Sequence, residues 1–168
     1  MATTFTLIQT YTLSTATASF DFTAIPATFT DLCLKLSYRG TWTGGVGNSV
    51  SLSLNGLATN FTSRYLQGEG SGTPSSGTGT QYAGNVTTAA ATASTFSSDE
   101  IYFPNYAGST YKSYSVDSVT ENNATQAYAT FIAGLWSNTA AINRVTMTND
   151  IGNFVTDSSA SLYGILKA

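Results

Sequence analysis

Histidine is absent from the 168 residues, cysteine occurs once, proline three times, and charged side chains make up only 9% of the chain. Each shortage excludes something. Without histidine there is no Ser-His-Asp or Cys-His catalysis, and the commonest zinc ligand is missing. The single Cys33 cannot close an internal disulfide and has no base partner, so it reads as an ordinary strand residue. The six basic residues (Lys35, Arg39, Arg64, Lys112, Arg144, Lys167) are spread along a chain of net charge −3. Nucleic-acid binding needs clustered Lys and Arg to neutralise phosphates, so no nucleic-acid partner is expected, and a polybasic membrane patch is missing for the same reason. No apolar run reaches the 18 or so residues of a membrane-spanning helix. The opening MATTFTLIQTYTLS has no basic region followed by an apolar stretch, so no secretory signal is expected. One cysteine and no export signal fit synthesis and folding in a reducing cytosol. The Gly-rich GEGSG (68–72) precedes no helix and matches no phosphate-binding loop.

Nine carboxylates remain. A glycosidase needs two of them flanking a cleft, and Asp99, Glu100, Asp117 and Glu121 are the acids that would have to supply the pair. Acids near strand ends are usually just solvated, and no enzyme activity is expected. Asn149, Asp150 and Asn153 offer oxygens, but the full ligand loop of an EF-hand is missing, and a plain Asx-rich turn is the expectation. No cofactor and no metal follow from these residues.

What the chain does have is hydroxyl groups and aromatic rings. There are 29 Thr and 21 Ser, with 10 Tyr and 9 Phe. Thr, Tyr and Phe favour strands. The residues that usually decorate exposed helix faces, Lys, Glu, Arg and Gln, are scarce. The hydrophobic pattern agrees, because it has a period of two. Phe5, Leu7, Gln9, Tyr11 and Leu13 form a first stripe, and Ala18, Phe20 and Phe22 a second. Pro26 interrupts the ladder. Leu32, Leu34, Leu36 and Tyr38 follow on one face of a third strand. A Gly-rich loop (41–48) leads to Val50, Leu52 and Leu54, which end at Asn55-Gly56, a strong hairpin signal. Residues 67–80 hold five Gly, one Pro and no aliphatic side chain after Leu66, which predicts a mobile surface loop. Residues 87–98 fit a short helix or an irregular strand. Ile101 and Phe103, then Tyr114 and Val116, resume the strand pattern. Over 125–136, Phe131 and Leu135 alternate with Ile132 and Trp136, which predicts a strand covered on both faces. Val145, Met147 and the stretch Leu162 to Leu166 complete the series.

Eight to ten short strands separated by turns predict a single all-β domain over 1–168, an antiparallel β-sandwich, with the jelly roll as its expected form. In that fold Leu34 and Phe131 are expected in the core. Trp42, Tyr65, Tyr102, Tyr106 and Trp136 fall in or near loops and strand ends. Rings there stack on sugars or fill a partner's pocket, but capping the ends of the sandwich is the favoured expectation. Three N-x-[ST] sequons, at Asn60, Asn85 and Asn123, are what chance predicts in so Thr- and Ser-rich a chain.

Several segments together resemble small virion proteins of tailed phages, especially cyanophages and other aquatic phages. They are the Thr-rich opening strand with the turn IPATFTDL (25–32) and the strand ending at Arg39, then SLSLNGLATNFTSRYLQGEG (51–70), IYFPNYAGSTYKSYSVDSVTENN (101–123), FIAGLWSNTAAINRVTM (131–147) and SSASLYGILKA (158–168). The resemblance covers nearly the whole chain and carries no catalytic residue. It implies a structural protein of the particle exterior, either a capsid decoration protein or a small tail-fibre subunit. The partners it implies are other virion proteins of the capsid or tail and further copies of the chain, for which a trimer on a symmetry axis would be one arrangement. With a first strand signal within a few residues of Met1 and no heptads or repeats, no fibre shaft or N-terminal anchor is expected, which favours a subunit that docks directly. A second reading, from the sandwich and the loop aromatics, is a carbohydrate-binding adhesin module that contacts host-surface glycans.

Overall fold

Strict alternation of buried and exposed residues along β-branched and aromatic segments leaves a chain one way to form a core. Each strand turns one face inward, and two sheets close over those faces. The computed structural model, which describes residues 4–70, 73–124 and 126–166, has this arrangement. Ser71 and Gly72 of the expected loop, Thr125, and both chain ends including Lys167 lie outside the described residues.

Twelve strands and no helix are present among the described residues. In chain order they are β1 (Phe5–Thr12), β2 (Ser19–Phe22), β3 (Asp31–Tyr38), β4 (Gly47–Leu54), β5 (Phe61–Gly68), β6 (Ser75–Gly79), β7 (Tyr82–Thr87), β8 (Ser97–Phe103), β9 (Lys112–Val119), β10 (Ala129–Trp136), β11 (Val145–Asn149) and β12 (Ser159–Ile165). The larger sheet has eight strands in the order β1-β12-β3-β8-β9-β10-β5-β6, and the smaller has four in the order β2-β11-β4-β7. Every strand pair is antiparallel. The protein is therefore an all-β sandwich, as the composition predicts.

The core lies between the sheets. Leu32, Leu34, Leu36 and Tyr38 of β3 face Val50, Leu52 and Leu54 of β4 across it, all buried. Phe154 stacks on Phe20 with ring centroids 5.0 Å apart and meets Tyr38 edge-on at 5.3 Å. Asn55 and Gly56 both adopt positive φ (54° and 75°), the conformation a two-residue turn demands, and the turn closes between Leu54 and Leu57. It does not continue as a long hairpin, because the chain then crosses to β5 in the larger sheet.

Three expectations are corrected. First, the stripe from Phe5 to Leu13 does not keep to one face. The β1–β12 register runs Leu7↔Tyr163 and then Gln9↔Leu162, so Ile8 is an extra residue in a β-bulge. A bulge shifts the phase by one and exchanges the faces. Tyr11 then packs inward on Phe20 and Phe22, while Phe5 and Leu7 stand outside, about half exposed. Second, β10 is covered on one face only. Ile132 and Trp136 are fully buried, whereas Phe131 is 59% exposed. Third, 67–80 is not simply a loop. Gln67 and Gly68 end β5, and Ser75–Gly79 pairs with β5 as the edge strand β6. Its small residues suit that place, since a Cβ on Gly77 would lie 2.5 Å from the hydroxyl of Tyr65.

The segment between β7 and β8 resolves as turns, and one side chain holds it. Arg39 Nη1 donates to Thr92 O (2.9 Å) and Thr95 O (2.8 Å), and Nη2 donates to Ala91 O (3.0 Å). A planar guanidinium can serve several carbonyls at once, which a lysine ammonium cannot do with the same geometry. Arg39→Ala is expected to cost about 1–3 kcal/mol. It should also speed amide exchange across residues 89–96 specifically, with Arg39→Lys rescuing little. Hydrogen-exchange mass spectrometry checks this, and unchanged protection in that segment would count against the clamp.

Candidate functional site

Eight strands lie over four, so the smaller sheet cannot cover all of the larger. Its edge strand β7 packs across β8, β9 and β10. Beyond it, β5 and β6 continue the larger sheet with their inner face open. The result is a cleft of about 540 Å³, within the size range of small-ligand sites.

The floor is a connected polar network. Asn85 is buried, and its Nδ2 lies 2.8 Å from the Tyr82 hydroxyl, 3.0 Å from Gln67 Oε1 and 3.3 Å from Thr130 Oγ1. The Thr130 hydroxyl donates to Gln67 Oε1 at 3.1 Å, and Gln67 Nε2 donates to Glu69 Oε1 at 3.2 Å. Strand alternation makes this possible, since Tyr65 and Gln67 share the inward face of β5 with buried Ser63. Tyr65 meets Tyr82 edge-on with centroids 5.3 Å apart. Burial pushes the Tyr82 phenol up to about 12.

Two rings form the rim. Tyr128 lies over Gly47, where a Cβ would come within 2.6 Å of the ring, so only glycine leaves the ring its place. Its hydroxyl accepts from Gln126 Nε2 at 2.9 Å, and burial followed by the Glu69 charge raises its pKa. Trp42, half-buried, folds back onto Gly44 and Gly45. On the opposite wall Asp150 Oδ1 accepts from the Ser51 hydroxyl at 2.5 Å. Asn149 Oδ1 accepts from Asn48 at 2.7 Å, so the Asx-rich turn is tied to β4 by hydrogen bonds.

The five aromatics singled out from the sequence separate here. Trp42 and Tyr65 line the cleft. Tyr102 stands on the outer face of the larger sheet, its hydroxyl 2.6 Å from Asp31 Oδ2. Tyr106 and Trp136 are wholly buried and out of any ligand's reach. Tyr106 donates to the Pro26 carbonyl, and Trp136 stacks on Phe61. Sequence reasoning missed Tyr82, Tyr128, Gln67 and Asn85. Tyr128 had a signal, an aromatic just ahead of a strand, but the amides had none, because their meeting depends on how far β5 overhangs β7.

The four acids considered as a catalytic pair do not gather in this cleft. Asp99 points into the core, and Glu121 caps a turn through the amide of Asn123. Glu100 and Asp117 are cross-strand neighbours on the outer face, where Glu100 bonds Lys35 Nζ at 2.6 Å. Cys33 lies beside them, buried, and burial followed by the Glu100 charge pushes its thiol up to about 11. That outer face also carries apolar side chains. Phe131 is directly opposite Leu66 of β5, and Val119 of β9 is opposite Ala129. Leu66 and Phe131 are 57% and 59% exposed. Comparison with protein-family models, with curated proteins and with solved structures found no match.

Proposed function

We propose that this chain is a non-enzymatic structural protein of the exterior of a tailed-phage virion, a capsid decoration protein or a small tail-fibre subunit, working as a homo-oligomer docked on other virion proteins. The observation that carries this reading is the apolar outer face of the larger sheet. The core is complete without Leu66, Val119 and Phe131, yet these side chains adjoin one another in solvent on three neighbouring strands. A contiguous exposed apolar patch on a sheet marks a contact surface. Arg64 and Asp117 stand on the two strands flanking β10, on opposite sides of Phe131, a border that suits a copy of itself. The order β1-β12-β3-β8 over β2-β11-β4-β7, with β5–β6 and β9–β10 as insertions, supports the jelly-roll form of the reading. A neutral, hydroxyl-rich surface makes weak individual contacts, and repeated copies make them durable.

Phe131→Ser combined with Leu66→Ser is expected to lower the oligomeric state in sedimentation velocity, while at dilutions where the parent is also monomeric the two melting temperatures should nearly coincide. A monomeric parent protein would remove the oligomer from the reading. Quantitative mass spectrometry of purified particles with a cryo-EM map tests the virion setting. Many copies on the shell would favour decoration and few at the tail a fibre, while absence from particles would refute both.

The cleft favours a second reading, a carbohydrate-binding adhesin module that contacts host-surface glycans, because it combines aromatic rings with fixed amides at the open end of a sandwich.

A further inference from the structure

We infer that the cleft between β5–β6 and the β4–β7 edge is a binding site for a neutral, uncharged oligosaccharide, held by stacking on Trp42 and Tyr128 and by hydrogen bonds to Glu69 and Asp150. The inference rests on the second reading above and specifies its ligand class and residues.

The lining composition argues for it. No aliphatic side chain lines the cleft, so it offers no anchor pocket for a lipid tail or an apolar peptide residue. No Lys or Arg lines it either, while Glu69 and Asp150 do. Phosphate, sulfate and carboxylate ligands therefore meet like charge without compensation. What remains is a ligand with apolar C–H patches and many hydroxyls. A pyranose ring has both. Its C–H face suits the electron-rich face of an indole or phenol, and its hydroxyls donate well to carboxylates.

The site is also built in advance. The Gln67–Asn85–Thr130 network fixes the floor, Gly47 seats Tyr128, and Gly44–Gly45 seat Trp42. Glu69 Oε2 and Asp150 Oδ2 have no hydrogen-bond partner among the described residues, while the other oxygen of each carboxylate is held by Gln67 and Ser51. Among the described residues each acid thus presents one unpaired acceptor while its other oxygen is held by a neighbour. Pre-organisation lowers the ordering cost that makes sugar binding weak.

The two tryptophans of the chain make the test direct. Trp42 is in the cleft, and Trp136 is fully buried in the core. Ligand entry should change Trp42 emission and leave Trp136 silent. The probes are maltotriose, cellotriose, mannotriose and chitotriose, with sulfated and sialylated trisaccharides as charged counterparts, titrated by fluorescence and by calorimetry. At least one neutral probe is expected to bind with a Kd of about 1 mM or tighter, and the charged probes at least about tenfold more weakly. Trp42→Ala and Tyr128→Ala should each cost about tenfold or more, and the conservative Glu69→Gln several-fold, with circular dichroism verifying the fold. The outer-face variant Phe131→Ser should bind as the parent does. Saturable binding of a charged glycan that survives Trp42→Ala would overturn the assignment and leave the glycan-binding reading standing. No response to any probe would sink both. Neutral binding indifferent to Trp42→Ala, Tyr128→Ala and Glu69→Gln alike would place the sugar elsewhere.

Discussion

Leu34→Ala is expected to destabilise the domain by about 2–5 kcal/mol, whereas Phe131→Ala, the larger deletion, should stay within about 0.5 kcal/mol of the parent when both are dilute enough to be monomeric. Leu34 has no exposed surface and sits in the middle of the core cluster between β12 and β8. Removing its side chain leaves a cavity that rigid sheets on both sides cannot close. Phe131 is 59% exposed on the outer face and leaves no cavity. For a domain of this size each kcal/mol is about 2–4 °C in Tm. Paired thermal melts should therefore separate the two variants by roughly 4–20 °C. A large loss at Phe131 in the isolated monomer would mean that its face is buried.

That contrast shows what the sequence reveals and what it conceals. Where one face of a strand is apolar and the other polar, as in β3 and β4, alternation names the inward residues correctly. In β10 both faces carry apolar side chains, and periodicity cannot choose between Phe131 and Ile132. Neighbours decide, because Ile132 lies opposite Val116 and Tyr65 on inward faces, while Phe131 lies opposite Asp117 and Leu66 on outward ones. In β1 a single inserted residue, Ile8, reverses the phase, and nothing in the local pattern marks it. β6 is legible only as turn-forming residues, since the ladder of β5 that recruits it is a long-range feature. The cleft was half visible. Trp42 and Tyr65 stood out as rings near strand ends, but Tyr106 and Trp136 looked the same and are core residues.

Between pH 4 and pH 8 the domain is expected to lose stability steadily as pH rises. The cause is Asp99, 4% exposed, to which the Tyr38 hydroxyl donates. Gly84 (φ +112°) lets the β7 backbone close over it, and a Cβ there would lie 2.6 Å from the carboxylate. Burial pushes the Asp99 carboxyl up to about 8, although hydrogen bonds from Tyr38 and Ser118 favour its ionised form. The folded protein thus holds a proton that the unfolded chain, with its ordinary carboxyl, releases near pH 4. Stability from the protonated group is full below that value and is lost as pH rises through about 8. Each unit of difference is worth about 1.4 kcal/mol, so the drop is of the order of several kcal/mol. Asp21 acts in the opposite sense at the acid end, because Arg144 lowers its pKa. That pair is exposed and contributes little. Urea melts at pH 4.5, 6, 7.5 and 9 should show a falling midpoint, and Asp99→Asn should flatten it and exceed the parent at pH 8. A profile with no slope would mean that Asp99 folds as a carboxylate.

The position of β12 has a further consequence, for the order in which the protein can assemble. The strand lies between β1 and β3, and β11 lies between β2 and β4. Neither sheet can close its seam until residues 145–165 have been synthesised, so a growing chain carries β1 and β2 without their partners for more than a hundred residues. Pairings of that sequence separation form late and slowly. Both unpaired strands are exposed to those of neighbouring nascent chains in the meantime. Thr10 and Thr12 of β1 and Ser19 and Asp21 of β2 then matter before folding as well as after it, because polar positions wait in water with less tendency to coalesce than aliphatic ones.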